Sequence, residues 1–396
     1  MPLNPNNQIL VDTLKSATLD ARFERIELAN FNAMSDVKRG CFSIVFRAHD
    51  TVDNKDVAVK FYDLSVESMQ DEYRRQAFRR EPEILSKIVG IRRCLQIVAP
   101  LKQYRLRLLV DGGTEVEVPT EYFVQEWISD DLDCYFLEQE LFTAEEKLLL
   151  FNEIVLAVEA LHAKDISHRD LKFDNLRMRF VDGERTVVVI DFGTAAHLTT
   201  PHLQSRYEFQ AGHYRYAAPE ARCGLAGNRE LARYCDYYAL GCMLFELFHR
   251  DQYFVAHQRC NVGFDIRLNA MRHFIAGVEK EDAQVEAWQQ VLAKFALGVA
   301  GAPLNEDGTS APPAIRALIQ ELIWGLTHID FRKRPNSLSL VRNRVWTAIR
   351  ILRSETEQRI RLERAKAIRA ARLEKLKRKE ATRALMRLHK EGQHDS

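Results

Sequence analysis

The chain lacks the long apolar segments that a membrane-spanning protein needs. Crossing a bilayer takes about 20 consecutive apolar residues, whereas the segment from Tyr237 to Phe248 is shorter and contains Glu246, and the segment from Leu148 to Leu161 is interrupted by polar residues. The N-terminus has neither the basic region nor the apolar region of a secretory signal. We therefore expect a cytoplasmic protein without a transmembrane segment, whose membrane contacts, if any, are peripheral.

Cysteine is present without any of the spacings that mark a metal or redox site. The seven cysteines are scattered, and no pair shows the tight spacing of a zinc knuckle or a disulfide-exchange motif. Reduced cysteines in a cytosolic protein fit this pattern better than a disulfide framework does.

The net charge favours no particular class of partner, but its distribution along the chain is uneven. The 396 residues carry a formal net charge of +1, while residues 351–396 alone carry +7, so that residues 1–350 carry −6. A hydrophobic content of 46% with 29% charged residues is typical of a soluble globular protein. The sequence therefore predicts an acidic folded body followed by a basic tail.

The most informative motif is a stretch of catalytic residue types near the middle of the chain. Residues 168–175 read His-Arg-Asp-Leu-Lys-Phe-Asp-Asn, and Asp-Phe-Gly follows at residues 191–193. The residues between them, 176–190, are predicted to form a β-hairpin, which would bring Asn175 and Asp191 close together. A base, a cation and two metal-binding side chains are the set that transfer of an ATP γ-phosphoryl group to a hydroxyl requires.

These two motifs resemble the catalytic loop and the magnesium loop of the eukaryotic-type protein kinase family. The resemblance implies an α+β, bilobal protein kinase fold with a β-rich N-lobe, a mostly helical C-lobe and a C-terminal helical extension. We expect an N-terminal extension at residues 1–34, the N-lobe at 35–128, the C-lobe at 129–350 and a basic helical tail at 351–396.

The resemblance also implies roles for the residues of the catalytic loop. Asp170 would accept or orient the proton of the substrate hydroxyl, and Lys172 would neutralise charge on the γ-phosphate. Asn175 and Asp191 would hold Mg²⁺ through oxygen ligands, which that metal prefers. In this family a lysine at the position of Lys172 is typical of serine/threonine kinases. For His168 we expect a structural role in a buried stack with Phe192.

Residues of the first lobe resemble the parts of the family that bind ATP. Lys60 would hold the α- and β-phosphates, and Glu81 on the following helix is expected to pair with it, with Glu83 as the alternative. Pro82 predicts that this helix is bent near Glu81 or begins close to it. The other expected nucleotide contacts are the loop residue Gly40, the strand residues Val45 and Ala58, and the hinge backbone of Glu126 and Ile128.

Three further features of the resemblance concern the framework of the C-lobe. Glu220, in an Ala-Pro-Glu motif, is expected to form a buried pair with Arg334, and Asp236 is expected to anchor the backbone of the catalytic loop. Arg169 implies control by a phosphorylated activation segment. The candidate phosphorylation sites are Thr194, Thr199, Thr200, Ser205 and Tyr207. Position favours Thr199, Thr200 or Ser205, and Glu208 could instead supply a permanent negative charge.

The chain departs from the family pattern at four positions. Lys38 and Ser43 stand where the phosphate-covering loop usually has glycines, and Arg177 stands where a leucine usually lies under the adenine. His213 replaces a threonine that usually bonds the catalytic aspartate and lysine, and its imidazole would substitute as the donor. These departures predict a diverged member of the family.

The tail and one internal segment are less informative. Residues 341–391 contain neither glycine nor proline and are predicted to be helical, without the strict heptads of a coiled coil. A solvated helix is one interpretation, and a docking arm for an acidic partner, nucleic acid or an anionic membrane is the other. The absence of aromatic residues after Trp346 argues against stacking on nucleic-acid bases. Residues 253–313 are expected to be irregular, with a solvated loop at 298–314.

Taken together, the residues and the resemblance predict a protein serine/threonine kinase that uses ATP and Mg²⁺ and phosphorylates a protein substrate and itself. The Ala-Pro-Glu motif favours a protein over a small molecule as the substrate. The alternative is a catalytically weak pseudokinase scaffold that recruits a partner through its basic helical tail.

Overall fold

The structure is a computed structural model that describes residues 3–32, 37–38, 43–110, 114–181, 183–197, 212–295, 298–305 and 307–391. Six residues discussed above lie outside these ranges, namely Gly40, Thr199, Thr200, Ser205, Tyr207 and Glu208.

A five-stranded antiparallel sheet forms the N-terminal lobe. The strands described in this lobe are β1 (Phe23–Leu28), β2 (Phe31–Asn32), β3 (Val37–Lys38), β4 (Ser43–Asp50), β5 (Lys55–Tyr62), β6 (Ile97–Val110) and β7 (Thr114–Glu126). The spatial order of the sheet is β1-β4-β5-β7-β6. Along the central strand β5, Val59 and Phe61 join the core on one face of the sheet, so Lys60 points to the opposite face. That face is the wall of the cleft between the lobes.

The N-terminal segment is built into this lobe. Helix α1 (Pro5–Leu14) begins at Asn4, whose side chain accepts the N–H of Asn6, and it buries Leu10 and Leu14 in the same core as Phe61. Strand β1 lies within residues 1–34, so the sheet begins before residue 35, where we expected the lobe to start.

Two helices connect the central strand to the rest of the sheet. Helix α2 (Val66–Gln70) is followed by α3 (Glu72–Lys87), for which Asp71 provides the N-terminal cap by accepting the N–H of Arg74 at 3.1 Å. Pro82 lies inside α3, well after its first turn, and the helix continues past it to Lys87. The helix therefore does not begin near Glu81, which was one of the two predicted alternatives.

The C-terminal lobe is mostly helical. Its helices are α4 (Asp133–Leu137), α5 (Ala144–His162), α6 (Arg229–Phe248), α7 (Tyr253–Cys260), α8 (Phe264–Ile275), α9 (Glu281–Phe295), α10 (Pro313–Leu326) and α11 (Leu338–Glu391). Helix α5 starts at a capping box made by Thr143 and Glu146. Helix α6 is buried along nearly its whole length and forms the centre of the lobe.

Short strands carry the catalytic segments on top of this helical core. Strand β8 (Ile166–Ser167) pairs with β11 (Ala196–His197), and β9 (Leu176–Val181) pairs with β10 (Glu184–Val189). The predicted hairpin after the catalytic loop is thus confirmed. Its ends meet where the N–H of Ile190 donates to the carbonyl of Asn175 at 3.0 Å.

The expectation of an irregular, solvated insertion between residues 253 and 314 is wrong. Helices α7, α8 and α9 occupy most of this segment, and Trp288 of α9 is fully buried in a separate apolar cluster with α8. Even the loop before α10 contributes the buried residues Ala302, Leu304 and Ala311. Charged residues alternate with apolar ones in α8 and α9, and for this reason the sequence pattern did not indicate that these helices pack in a core.

Helix α11 is a single helix of 54 residues that continues from the folded body into the tail. Ile349 is fully buried and Leu352 packs partly against the core, and Arg353 donates to Glu145 of α5 at 2.8 Å. From Ser354 to Lys379 every side chain is exposed. Within the described ranges, no helix is both long and apolar enough to cross a membrane.

Candidate active site

A network of three charged side chains, two of them buried and one partly exposed, joins the two lobes at the cleft. The Nζ atom of Lys60 lies 2.7 and 2.9 Å from the two carboxylate oxygens of Glu81 on α3, and 3.2 Å from Oδ1 of Asp191. Glu83, the alternative partner, is exposed instead. Burial alone would lower the pKa of Lys60, but the carboxylates of Asp191 and Glu81 raise it above its ordinary value. Lys60 is therefore held as a cation in the cleft.

Asp191 lies in an unusual backbone conformation that aims its carboxylate at the cleft. Its φ is 62°, in the left-handed region, and its side chain is 44% exposed although it pairs with Lys60. Burial opposes its charged form, but Lys60 holds its pKa below the ordinary value. The next residue, Phe192, is fully buried against the ring of His168, with ring centroids 5.3 Å apart. This packing fixes where the carboxylate can go.

Asp236, which is buried within α6, holds the backbone of the catalytic loop. Its carboxylate accepts the N–H groups of His168 at 2.9 Å and Arg169 at 2.8 Å, and it lies 2.8 Å from Nε2 of His162. Arg169 has a φ of 66°, a conformation that costs a non-glycine residue on the order of 1–3 kcal/mol and persists only when its surroundings enforce it. The three bonds to Asp236 supply that constraint.

The three candidate catalytic side chains of the loop cluster together. The amide nitrogen of Asn175 donates to the carbonyl of Asp170 at 2.8 Å and to its carboxylate at 3.1 Å. The Nζ atom of Lys172 lies 3.7 Å from the same carboxylate. Burial raises the pKa of Asp170, and the nearby Lys172 partly opposes that effect. A carboxylate with a raised pKa and two fixed neighbours is suited to orient and accept a proton.

The predicted role of the His213 imidazole is wrong. The backbone N–H of His213 donates to Oδ1 of Asp170, while the ring is exposed. The preceding residue, Gly212, makes this approach possible: its φ is +84°, and a Cβ there would lie 2.3 Å from the carbonyl oxygen of Arg169. We did not single out Gly212 from the sequence, and a glycine just before a position of expected function was the available signal.

The remaining nucleotide candidates line the wall and roof of the cleft. Ala58 is buried on β5 beside Gln125, and Val45 on β4 pairs with Lys60. The backbone N–H of Glu126 donates to the carbonyl of Gln96 at 3.0 Å, and Ile128 is partly buried against the main core.

Two polar side chains next to these candidates differ in their bonding. Oε1 of Gln125 is buried and has no hydrogen-bond partner among the described residues. The guanidinium of Arg177 donates to the carbonyls of Asp174 and Leu176, at 2.9 and 2.8 Å. Its charged end is therefore turned along the backbone of its own loop.

Glu220 and Arg334 form a fully buried, two-pronged ion pair below the catalytic loop. The guanidinium donates to the two carboxylate oxygens at 2.5 and 3.0 Å, and it also donates to the carbonyls of His328 and Tyr234 at 2.8 Å each. Both side chains have 0% exposure. The pair fastens the segment that starts at Gly212 to the loop before α11.

A second buried carboxylate lies under the same segment. Glu246 of α6 accepts the hydroxyl of Tyr216 and, at 3.2 Å, the N–H of Tyr253. Burial raises its pKa to about 7. Its neutral form therefore fits the folded protein better than its charged form does.

This burial predicts a pH-dependent stability. Because the folded pKa lies above the unfolded one, folding favours the protonated form, so wild type should lose stability as pH rises from about 4.5 to about 7. Glu246→Gln should remove this loss and become more stable than wild type by about 2–3 kcal/mol at pH 8, with no such gain at pH 4.5. Urea unfolding of both proteins at pH values between about 4.5 and 8 measures the difference in their free energies of unfolding. A gain that is the same at both pH values would contradict the assignment.

Comparison with known proteins gives the family. The sequence profile described as protein kinase domain matches residues 31–346. The chain is 28% identical over 242 residues to the interferon-induced, double-stranded RNA-activated protein kinase of Rattus norvegicus, covering 59% of this chain and 42% of that protein. It is 27% identical over 232 residues to a putative ribosomal protein S6 kinase alpha-2 of Caenorhabditis elegans, covering 56% and 27%. The alignment with a probable serine/threonine-protein kinase 2 of Plasmodium falciparum is 27% identical over 157 residues, covering 37% and 29%.

Since the profile spans most of the chain, the protein belongs to the protein kinase domain family. A crystal structure of another kinase domain has the same fold, with a TM-score of 0.51 at 16% identity, covering 82% of this chain and 95% of that one. The predicted α+β bilobal fold is thus confirmed. The chain spans less than half the length of each of the curated relatives named above.

Proposed function

We propose that this protein is a kinase that transfers the γ-phosphoryl group of ATP to serine or threonine hydroxyls of proteins, itself included. The observation that carries the proposal is the network in which Lys60 pairs with the buried Glu81 and the partly exposed Asp191, next to the clustered Asp170, Lys172 and Asn175. Phosphoryl transfer needs positioning and charge stabilisation far more than covalent chemistry. Lys60 is a fixed cation, Asp191 keeps part of its carboxylate exposed, and Asp170 is an oriented base. These groups can supply both effects.

The residues present also suit Mg²⁺ and a nucleotide. Asp191 has a partly exposed carboxylate, and no group of three or more His, Cys, Asp or Glu side chains in the described ranges could hold a metal alone. This donor set fits Mg²⁺, which is usually bound by one or two carboxylates together with substrate phosphates. Asp191 and Asn175 would hold the ion, which neutralises phosphate charge when bound. Oε1 of Gln125, on the strand next to Ala58, is a buried acceptor without a partner among the described residues, and it would be available to a bound base.

The protein's own residues then divide the remaining work. Lys60, kept charged by Glu81, would hold the α- and β-phosphates, while Lys172 would meet the charge on the γ-phosphate. Asp170 would orient the incoming hydroxyl and take its proton, since Asn175 and the N–H of His213 fix its carboxylate. Lys172 and the name of the Plasmodium falciparum relative support serine and threonine as acceptors.

The test is mass spectrometry of the purified protein after incubation with Mg-ATP, for wild type beside Asp170→Ala. We expect phosphoserine or phosphothreonine on wild type and a loss of at least about 100-fold in the variant, the low end of what a positioned acid or base contributes. Asp174→Ala is the matched control, because Asp174 is an exposed carboxylate on the same loop. Equal phosphorylation of wild type and Asp170→Ala, or none on wild type and on a generic protein substrate, would refute the proposal.

One observation favours a second function, recruitment of an acidic partner by the tail of α11. On one side of the helix, Glu363 and Glu374 pair with Lys366 and Arg378, at 3.5 and 2.6 Å. Another set of cations, spaced three to five residues apart on a different side of the helix, makes no ion pair within the described part of the chain, and Arg359 and Lys377 on the first side make none either. These basic-face residues are Arg364, Arg369, Arg372, Lys375 and Lys379. Such a face attracts an acidic protein surface.

Charge reversal on each side of the tail helix tests whether the basic face binds acidic groups more strongly than the other side does. A variant with Arg364, Arg372 and Lys375 all changed to Glu should lose retention on a polyglutamate resin at low salt. The matched control changes Arg359, Lys366 and Lys377 to Glu, and should keep most of it. If both variants behave alike, the basic face is only a solvated surface. A scaffold role would further require that Asp170→Ala keep the biological activity that removal of residues 354–396 abolishes.

A further inference from the structure

The connection between Lys60 and the helix that carries Glu81 is held from outside by the N-terminal helix. The chain leaves β5 just after Lys60 and passes through Asp63 and Leu64 before it reaches α2 and then α3. Any movement of this connection would be passed to α3, and so to the distance between Glu81 and Lys60.

Asn7 of α1 makes two buried hydrogen bonds to this connection. Its amide nitrogen donates to Oδ1 of Asp63 at 2.8 Å, and its amide oxygen accepts the N–H of Leu64 at 2.9 Å. Asn6 adds a third bond, from its amide nitrogen to the carbonyl of Leu64 at 3.2 Å. Asn7 is only 2% exposed, so these bonds are shielded from water. Loss of either partner would leave a buried polar group unsatisfied.

The same contacts continue toward α3. Oδ1 of Asp63 also accepts the N–H of Ser65 at 2.8 Å, and Ser65 is the N-terminal cap of α2. The hydroxyl of Ser68, within α2, accepts a bond from the guanidinium of Arg74 on α3 at 3.1 Å. A continuous chain of hydrogen bonds therefore runs from Asn7 through α2 to the first turn of α3.

Apolar packing fixes α1 in the position that this contact needs. Leu10, Val11 and Leu14 are buried in one cluster with Phe61 of β5 and Leu64 of the connection. The helix is thus attached to the strand of Lys60 and to the connection at once. An exposed polar helix could not hold a loop in this way, because it would have no fixed position itself.

We propose that Asn7 is a positioning residue for phosphoryl transfer: it clamps the connection after β5 and so keeps α3 where Glu81 meets Lys60. The inference rests on the proposed kinase function for its effect on activity, but the clamp itself can be measured without activity. Through Asn7, the N-terminal segment would affect the distance between Glu81 and Lys60 in the cleft, although α1 contacts none of the candidate catalytic side chains.

The test combines hydrogen exchange with kinetics. Asn7→Ala should speed backbone exchange in residues 63–87 while leaving residues 313–349 unchanged, and should lower kcat/KM for ATP by about tenfold, the equivalent of one lost buried hydrogen bond. Gln8→Ala is the matched control, since Gln8 is exposed on the same helix and its side chain bonds the exposed Asp12, one helical turn away, rather than the connection after β5. Unchanged exchange in residues 63–87 of Asn7→Ala would overturn the proposal.

A paired exchange of side chains provides the rescue. Asn7→Asp alone would set two carboxylates against each other and should be at least as impaired as Asn7→Ala. Adding Asp63→Asn restores a donor opposite the new carboxylate and keeps the acceptor for the N–H of Leu64, but Oδ1 of Asp63 accepts both Asn7 and Ser65, so the exchanged amide can serve only one of them. Exchange rates and activity of the double variant should therefore lie between those of Asn7→Asp and wild type, and values no better than those of Asn7→Asp would overturn the proposal. If wild type shows no kinase activity, the proposed function fails while the exchange data still test the clamp.

Discussion

Arg334→Ala is expected to lower the free energy of unfolding by about 3–5 kcal/mol, the usual cost of removing one partner from a buried ion pair. The change would leave the carboxylate of Glu220, with 0% exposure, without a counter-charge. It would also remove the donors to the carbonyls of His328 and Tyr234. Urea unfolding of the variant and the wild type measures the loss.

Two further variants show whether the cost comes from the buried pair. Arg332→Ala removes a half-exposed arginine two residues away, which pairs with Asp330 at 2.8 Å, and should cost at most about 1 kcal/mol. The double change Glu220→Leu and Arg334→Met should recover much of the stability lost in Arg334→Ala, because it leaves no unpaired charge behind. If Arg334→Ala and Arg332→Ala lose the same amount, the buried pair does not stabilise the fold as described.

Features that depend on local pattern were predictable from the sequence. The β9–β10 hairpin follows from apolar strand residues on both sides of a turn. The side chains expected at the cleft, among them Lys60, Glu81, Asp170 and Asp191, also come together, since the resemblance implies their order along the fold. Their roles in catalysis remain predictions.

Features that depend on backbone approach and tertiary partners were not predictable. The bond from His213 to Asp170 uses a main-chain N–H, which any residue has, and only the left-handed φ of Gly212 lets it form. Asn7 looks like an ordinary polar residue in an amphipathic helix until Asp63 and Leu64 lie beside it. Apart from the glycine before His213, the residue types at these positions do not indicate which distant groups they contact.

Lys60→Met is expected to lower kcat/KM by about 100- to 1,000-fold, the range seen when one preorganised electrostatic group is removed from an active site. The reason is that Lys60 is the cation of the network that joins β5, α3 and the magnesium loop. The single change also leaves Glu81 buried without its counter-charge, so part of its effect would be a loss of stability. Activity and unfolding must therefore be measured on the same proteins.

Adding Glu81→Gln to Lys60→Met separates catalysis from folding. The neutral amide removes the buried charge, so the double variant should regain most of the stability that Lys60→Met loses, yet its kcat/KM should stay at least about 100-fold below wild type. Lys55→Met is the control, since Lys55 lies on the same strand, is 51% exposed and pairs only with Asp53. Recovery of both activity and stability would mean that Lys60 contributes only to the stability of the fold. If Lys60 holds phosphate, a variant that lacks this lysine stays inactive even when its stability is restored.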